Sequence, residues 1–217
     1  MKSPLILLPG MGASADVFAP QAAEFPNLVV PDWIPPQPEE TLPRYAERMA
    51  HIVDPCGPCV VGGISFGGMV AVEMRRHLDA RACLLIATVR SPAHLPRRLT
   101  LLRPAIASLA LTAGLTRPLA RAIATAGKHV LHPATVEFLQ ESADADPAFL
   151  RWSAHAIMSW KLEDAAATCP TYHIHGGSDW ILPARCVHPD VAIPGGGHLL
   201  TLTHPKEVNR FLREHLI

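Results

Sequence analysis

The segment Gly63-Ile64-Ser65-Phe66-Gly67 decides the fold, because it joins a strand-like run to a helix-like run. The apolar residues 59–62 precede it, and the apolar residues 68–72 follow it. A strand, a Gly-x-Ser-x-Gly turn and a helix in this order expose the serine hydroxyl at the top of a sheet. The sharp turn leaves no room for side chains at positions 63 and 67, so glycine fits at both. Ser65 is therefore a candidate nucleophile, and the N-terminus of the following helix favours a developing oxyanion.

A serine nucleophile needs a base and an orienting acid, and candidates for both lie further along the chain. Residues 172–175 are typical of a short strand, and Asp179 follows them in a glycine-rich loop. A second apolar run, 191–194, is followed by three glycines and His198. The carboxyl ends of parallel strands lie at one edge of a sheet, where catalytic loops gather. We therefore expect Ser65, Asp179 and His198 to meet there as a catalytic triad.

These motifs resemble the α/β-hydrolase superfamily of serine hydrolases, in which the three groups follow the chain order Ser, Asp, His. The resemblance covers nearly the whole chain and includes small carboxylesterases of the pimeloyl-carrier methyl ester esterase type. Residues 7–14 resemble the oxyanion loop of the family, although Pro9-Gly10 stands where His-Gly is more usual. The resemblance implies an oxyanion hole made by the backbone N–H groups of Met11 and Phe66. It implies no metal and no other cofactor.

Strand-like runs alternate with helical patterns along most of the chain. The expected strands lie near residues 4–8, 28–31, 59–64, 82–88, 170–175 and 190–194. The expected helices lie near residues 42–53, 66–77, 134–142, 147–160 and 205–216. This alternation predicts an α/β fold with a mostly parallel sheet of about six strands and helices on both faces.

The stretch 91–160 interrupts the alternation, since it contains no strand-like run and is rich in Leu, Ala, Pro and Arg. The resemblance implies a helical lid that forms the acyl pocket at this place. We therefore expect a hydrolase core of residues 1–90 and 161–217 with a lid of residues 91–160, all within one domain. Helices that simply cover the sheet are the alternative. The lid is favoured because the insertion falls between the nucleophile and the acid.

Charge is balanced over the whole chain, with 19 Lys+Arg and 19 Asp+Glu, which excludes general nucleic-acid binding. Residues 91–135, however, contain five Arg, one Lys and no acidic residue. The basic face either keeps an apolar lid in solution or docks an anionic group, such as an acidic carrier protein, coenzyme A or a substrate carboxylate. The arginines expected to dock such a group are Arg97, Arg98, Arg103, Arg117 and Arg121.

Other residues are weaker candidates. Trp33, Trp160 and Trp180 are candidate pocket residues, although core packing explains each of them equally well. Asp32 is an alternative acid, but it precedes the nucleophile and matches no acid loop. His173 and His175 lie on a strand and are expected to be packed or hydrogen-bonded rather than catalytic. The Cys-x-x-Cys motif at 56–59 leads into a strand, whereas redox chemistry places the first cysteine at a helix N-terminus.

No stretch of the sequence reaches the roughly 18–20 uninterrupted apolar residues that a membrane helix requires. The apolar run at residues 4–8 is too short for the core of a signal peptide. We therefore expect a cytoplasmic protein without a membrane span.

The sequence thus predicts a serine hydrolase that cleaves a carboxylic ester or thioester of a small molecule. Ser65 would attack the carbonyl, His198 would act as the base, and Asp179 would orient the histidine. A lyase or an acyl transferase with the same triad is an alternative, since one fold supports several reactions. A non-catalytic binding protein on this fold is another, although it has no use for a strained serine turn.

Overall fold

The computed structural model describes residues 3–97, 136, 145–162 and 169–216. Its strands are β1 (Leu5–Leu8), β2 (Leu28–Val29), β3 (Cys59–Ile64), β4 (Ala80–Ile86), β5 (Thr171–Gly176) and β6 (Val191–Ile193). They form one sheet in the order β2-β1-β3-β4-β5-β6, and all neighbouring strands are parallel. The expected α/β fold with about six strands is therefore confirmed.

Helices flank the sheet and connect its strands. In the described ranges they are α1 (Ala19–Ala22), α2 (Leu42–Val53), α3 (Phe66–Met74), α4 (Pro147–Ser159), α5 (Ala184–Val187), α6 (Leu200–Thr203) and α7 (Pro205–His215). Short 3-10 helices occupy Ala15–Phe18 and Pro92–His94. The expected helix at 134–142 lies outside the described residues except for residue 136, which is helical.

The central strands are buried on both faces, which is why their sequences are continuous apolar runs rather than alternating ones. Successive side chains of a strand point to opposite faces, and the core is divided accordingly. Ile6 and Leu8 of β1 join a cluster with α2 and α3, whereas Leu5 and Leu7 join a second cluster on the other face. The apolar side of α7 covers that second face, so helices protect both sides of the sheet.

Part of the expected lid packs directly on the core. Phe149 of α4 lies 5.3 Å from Trp33 between ring centroids, and Trp152 lies 4.2 Å from Tyr45 of α2. The indole N–H of Trp152 also donates to the carbonyl oxygen of Glu40, at 2.8 Å. Residues 147–159 of the 91–160 segment are thus packed against α2 and Trp33. Most of residues 98–144 lie outside the described part of the chain.

The five cysteines differ in their exposure to solvent. Cys56 is exposed, Cys186 is half-buried, and Cys59, Cys83 and Cys169 are buried. Burial raises the pKa of the Cys59 thiol to about 11 and that of Cys83 to about 12. Because a redox-active cysteine needs a lowered pKa, and because Cys59 begins a strand, this geometry does not favour redox chemistry at the Cys-x-x-Cys motif.

No helix in the described ranges has both the length and the apolar character needed to cross a membrane.

Candidate active site

Ser65 lies between β3 and α3 with a φ of 53° and a ψ of −121°, in a region that residues with a side chain rarely adopt. Its N–H donates to the carbonyl oxygen of Ile86, and its carbonyl oxygen accepts from the hydroxyl of Thr88 at 2.5 Å. These two bonds tie the turn to the end of β4. Such strain persists only where the surroundings enforce it, and it is concentrated at functional sites.

The two glycines of the turn are required by close backbone contacts. A Cβ atom on Gly67 would lie 2.2 Å from the carbonyl oxygens of both Leu8 and Pro9. One on Gly63 would lie 2.6 Å from the carbonyl carbon of Gly67 and 2.7 Å from the Leu8 oxygen. The turn therefore packs against the end of β1 without space for any side chain, as the motif predicts.

The structure brings Ser65, His198 and Asp179 together at the carboxyl edge of the sheet. His198 Nε2 lies 2.9 Å from Ser65 Oγ, and His198 Nδ1 lies 2.7 Å from Asp179 Oδ2. A carboxylate can only accept, so Nδ1 carries the ring hydrogen and Nε2 is left to accept from the serine hydroxyl. This is the hydrogen-bond order that a general base for serine requires.

Close packing of two glycine-rich loops sets the distance between His198 and Asp179. A Cβ atom on Gly176, at the end of β5, would lie 2.4 Å from the carbonyl oxygens of Gly196 and Gly197. The N–H of Ser178 also donates to the Gly196 oxygen at 2.9 Å. The loop that carries the acid is therefore in direct contact with the loop that carries the histidine.

The carboxylate of Asp179 is almost fully buried and has donors at both oxygens. Its Oδ1 accepts the backbone N–H groups of Ile181 and Leu182, at 2.8 and 2.9 Å. Burial acts to raise the pKa of Asp179, but hydrogen bonds from His175, His198 and the Leu182 N–H, with the charge of His198, hold it well below its usual range. Asp179 is therefore ionised at neutral pH. The alternative acid, Asp32, is exposed to solvent.

The expected oxyanion loop lies beside the serine. A cavity of about 210 Å³ is lined by Gly10, Met11, Val17, Ile64, Ser65, Ile181, His198 and Leu199. A Cβ atom on Gly10 would lie 3.7 Å from the Cβ of Ser65, so the loop backbone contacts the serine. Phe66 is the first residue of α3, where backbone N–H groups have no partner within the helix. Met11 and Phe66 thus both adjoin the serine.

The three tryptophans proposed for the pocket have different positions. Trp33 lines a second cavity, of about 350 Å³, and contacts Phe66 with 5.4 Å between ring centroids. Trp160 is buried in the core, where its N–H donates to Glu73 at 2.6 Å, and Trp180 is 75% exposed. Neither Trp160 nor Trp180 lines these two cavities.

Of the arginines proposed to dock an anion, only Arg97 is described. It lines a third cavity of about 420 Å³ together with His94 and Arg185. Partial burial lowers the pKa of His94, and the nearby His188 and Arg90 lower it further, which indicates a positive local field. The remaining proposed residues, Arg98, Arg103, Arg117 and Arg121, lie outside the described residues.

One contact at the site was not predicted from the sequence. His175, on β5, places its Nε2 3.2 Å from Asp179 Oδ2, so the carboxylate has a second histidine partner. The i, i+4 spacing of these two residues was the only signal in the sequence. The part of the chain that the structure describes contains no group of three or more His, Cys, Asp or Glu side chains that could hold a metal ion.

Comparison with known proteins gives a match to one family model. The model described as "Alpha/beta hydrolase family" matches residues 5–211, which is nearly the whole chain. No curated protein matches the sequence.

Several solved structures share the fold. A thermophilic esterase from Thermogutta terrifontis is 23% identical with a TM-score of 0.73, over 98% of this chain and 88% of that one. A bromoperoxidase from Bacillus anthracis is 17% identical with a TM-score of 0.75, over 99% and 91%. The type II thioesterase BorB from the borrelidin biosynthetic cluster is 22% identical with a TM-score of 0.67, over 100% and 94%. Identities this low support the fold alone.

Proposed function

This chain belongs to the alpha/beta hydrolase family, and we propose that it is a serine hydrolase that cleaves a carboxylic ester or thioester. One observation carries the proposal: His198 lies between Ser65 and Asp179, at 2.9 Å from the hydroxyl oxygen and 2.7 Å from the carboxylate. The esterase and thioesterase among the structural neighbours are compatible with this reaction class.

The proposed reaction begins with attack of Ser65 Oγ on the acyl carbonyl carbon. His198 Nε2 takes the serine proton as the C–O bond forms, and it then gives that proton to the departing alcohol or thiol. Asp179 keeps the hydrogen of the imidazole on Nδ1 and stabilises the imidazolium. Water, deprotonated by His198, next attacks the acyl-enzyme and releases the carboxylic acid together with free Ser65.

The oxyanion of both tetrahedral intermediates is proposed to accept hydrogen bonds from the backbone N–H groups of Met11 and Phe66. The position of Met11 on the wall of the serine cavity and that of Phe66 at the N-terminus of α3 support this role. Removal of one such donor typically costs about 10²–10³ in kcat.

The acyl group is proposed to occupy the cavity beside Ser65, whose walls are mostly apolar. Its volume of about 210 Å³ is below the roughly 300–1,000 Å³ of pockets for drug-sized ligands. We therefore expect short acyl chains to be preferred. The neighbouring cavity at Trp33 is lined partly by Ala145, Asp146 and Phe149, which supports the proposal that residues 91–160 form a lid on a core of 1–90 and 161–217.

The basic residues after position 90 are proposed to attract an anionic part of the substrate or its carrier. The cavity at His94, Arg97 and Arg185 contains no acidic residue in its described wall, which supports such a role. A carboxylate, a coenzyme A phosphate or an acidic carrier protein would each supply the required charge.

The first test is labelling with a fluorophosphonate probe, together with hydrolysis of p-nitrophenyl esters from acetate to dodecanoate. We expect the wild type to be labelled and to turn over the short esters fastest. The Ser65→Ala variant should lose both labelling and turnover, with kcat reduced by at least about 10⁴. Ser159→Ala, at an exposed serine of α4 that lines neither cavity, should keep both and serves as the matched control.

The alternatives give different results in the same test. A lyase or an acyl transferase would be labelled at Ser65 but would release no free acid from any ester. A binding protein would resist labelling although it is folded, and that outcome would remove the proposed nucleophile.

A further inference from the structure

A buried series of hydrogen bonds continues from Asp179 to two histidines that the proposed mechanism does not use. His173 and His175 are both fully buried, and their two-residue spacing puts both side chains on one face of β5. His175 Nε2 lies 2.6 Å from the Leu182 carbonyl oxygen and 3.2 Å from Asp179 Oδ2. His175 Nδ1 lies 3.1 Å from His173 Nε2, with the two rings nearly perpendicular at 88°.

The partners determine which ring nitrogens carry hydrogen. A carbonyl and a carboxylate only accept, so His175 Nε2 carries a hydrogen, which it donates to the Leu182 oxygen at 2.6 Å while Asp179 Oδ2 lies 3.2 Å away. His173 Nδ1 is buried without a partner among the described atoms, so the hydrogen of that ring belongs on Nε2, where it has an acceptor. That acceptor is His175 Nδ1, which is therefore unprotonated, and His175 is neutral. Burial, followed by the neighbouring His175, lowers the pKa of His173 to about 3, in agreement with a neutral ring.

We propose that His175 is a positioning residue for the triad, whose Nε2–H holds the Asp179 carboxylate in the orientation that receives the Nδ1–H of His198. His173 fixes the tautomer that makes this possible. The inference rests on the proposed function, since it assigns His175 an effect on the proposed base. It concerns how the acid is held rather than which groups react.

The physical consequence is twofold. With two backbone donors on Oδ1, and with His198 Nδ1 at 2.7 Å and His175 Nε2 at 3.2 Å from Oδ2, the carboxylate of Asp179 is prevented from rotating. The hydrogen bond from His175 also stabilises the negative charge of Asp179, so the carboxylate attracts the imidazolium of His198 less strongly. Removal of this donor is therefore expected to strengthen the attraction between the Asp179 carboxylate and the imidazolium of His198.

Other charges surround this network and stay unchanged in the variants below. Arg90 follows β4 and forms an ion pair with Asp190, whose carboxylate also accepts the backbone N–H of His173 at 2.7 Å. The other titratable groups that act on His173 are Arg90, Asp190 and His94.

The test compares His175→Leu, which has no donor, with His175→Gln, whose amide N–H₂ can replace Nε2–H. The pKa of His198 is measured by NMR on protein labelled with ¹³C in its histidine rings, and its signal is identified from the spectrum of a His198→Gln variant. We expect the Leu variant to raise the pKa of His198 by about one unit, because a hydrogen bond to a charged group is worth roughly that much. The Gln variant should stay close to the wild type.

Kinetics on the best p-nitrophenyl ester give an independent readout. In the Leu variant the acid limb of kcat/KM should move to higher pH with the pKa of His198. The kcat value should fall about tenfold while KM stays nearly constant, because orientation of the base and not substrate binding is impaired. Ile174→Val, a buried change on the opposite face of β5, is the matched control and should leave the acid limb in place.

Three results would overturn the inference. The first is an unchanged His198 pKa in folded His175→Leu, which would mean that His175 only packs. The second is a Gln variant as strongly affected as the Leu variant. The third applies if His175→Leu does not fold. His173→Leu then takes its place, since it removes only the group that fixes the tautomer, and an unchanged His198 pKa in this variant would overturn the inference. The NMR titration needs no substrate, so its failure is distinguishable from failure of the proposed function, which the fluorophosphonate probe reports.

Discussion

Ser65 has a backbone conformation that hydrogen bonds on both sides maintain. Its φ of 53° is unfavourable for a residue with a side chain, by about 1–3 kcal/mol. The bond from its N–H to Ile86 and the bond from Thr88 to its carbonyl oxygen offset that strain. The strained turn consequently holds Ser65 in a position where its hydroxyl oxygen lies 2.9 Å from His198 Nε2.

At the same scale, His173 should make the protein sensitive to acid. Its pKa is about 3 in the folded chain and about 6.5 in an unfolded one. Between these values the unfolded chain binds more protons, so the free energy of unfolding falls as the pH is lowered. Replacement by leucine removes this titration. We expect urea unfolding of His173→Leu to show a smaller loss of stability between pH 6.5 and pH 4 than the wild type.

The wild type and His173→Leu are compared by how steeply the free energy of unfolding changes with pH. Stability at a single pH is not sufficient, because the leucine variant also loses a hydrogen bond and is less stable at every pH. His51→Leu, a change at an exposed histidine of α2, should keep the slope of the wild type. Equal slopes for the wild type and His173→Leu would contradict the buried neutral state of His173.

The residues of the candidate site could be predicted from the sequence where a local motif indicates them. Ser65 is marked by its flanking glycines, and Asp179 and His198 by the strands that precede them. The contact between His175 and Asp179 could not be predicted, because it depends on how the loop after β5 folds back until Leu182 lies over the strand. No local pattern encodes that return.

At the scale of elements, the close approach of α3 to β1 depends on Gly67. A Cβ atom there would overlap the carbonyl oxygens of Leu8 and Pro9, which are backbone atoms and cannot move independently. We expect Gly67→Ala to lower the free energy of unfolding by about 3 kcal/mol or more, as overpacking and backbone strain typically do. Urea denaturation followed by circular dichroism measures this change.

Gly57 provides the matched glycine for comparison. A Cβ atom at this position would meet nothing within 4 Å, so Gly57→Ala should change stability by less than about 0.5 kcal/mol. Similar losses of stability in both variants would show that the backbone contacts at Gly67 are not the reason why the turn requires glycine.

A second prediction for elements concerns the contact between the end of α4 and α3. Trp160 donates its indole N–H to the buried carboxylate of Glu73, at 2.6 Å. Trp160→Phe removes a donor from a buried charge, and we expect a loss of about 1–3 kcal/mol in urea unfolding. KM for the ester substrate should stay unchanged, since Trp160 lines neither cavity near the serine. A raised KM with unchanged stability would instead make Trp160 a pocket residue.

Element positions were predictable where apolar runs are long, and less so elsewhere. The buried strand at 59–64 was predicted at its observed bounds, whereas the expected strand at 28–31 is reduced to Leu28–Val29 at the edge of the sheet. The positions of Trp33 and Trp160 were not predictable. Both are apolar with one donor, and only the tertiary structure decides whether the side chain lines a cavity or packs in the core with its N–H on a buried carboxylate.

For the whole molecule, the balanced net charge conceals a local excess of basic groups. If the cavity at His94, Arg97 and Arg185 attracts an anion, Arg185→Gln should raise KM about two- to fivefold for an ester with a carboxylate on its acyl chain. KM for the neutral ester of equal length should not change. The difference between the two substrates should also shrink at high ionic strength, because salt screens exposed charges.

Arg151→Gln removes a positive charge from the exposed side of α4, away from this cavity, and is the matched control. Equal effects of the two variants on the anionic ester would indicate general attraction by net charge. No effect of Arg185→Gln on either ester would argue against an anion site at this cavity.

The exposed thiol of Cys56 has a practical consequence for attaching this protein to a surface. Cys56 precedes β3 at the amino edge of the sheet, whereas Ser65 follows the opposite end of that strand. Six residues of strand at about 3.3 Å each separate the two edges by roughly 20 Å. A maleimide-coated bead that couples at Cys56, with Cys186 replaced by serine, would therefore hold every molecule in one orientation, with the serine facing the bulk solution.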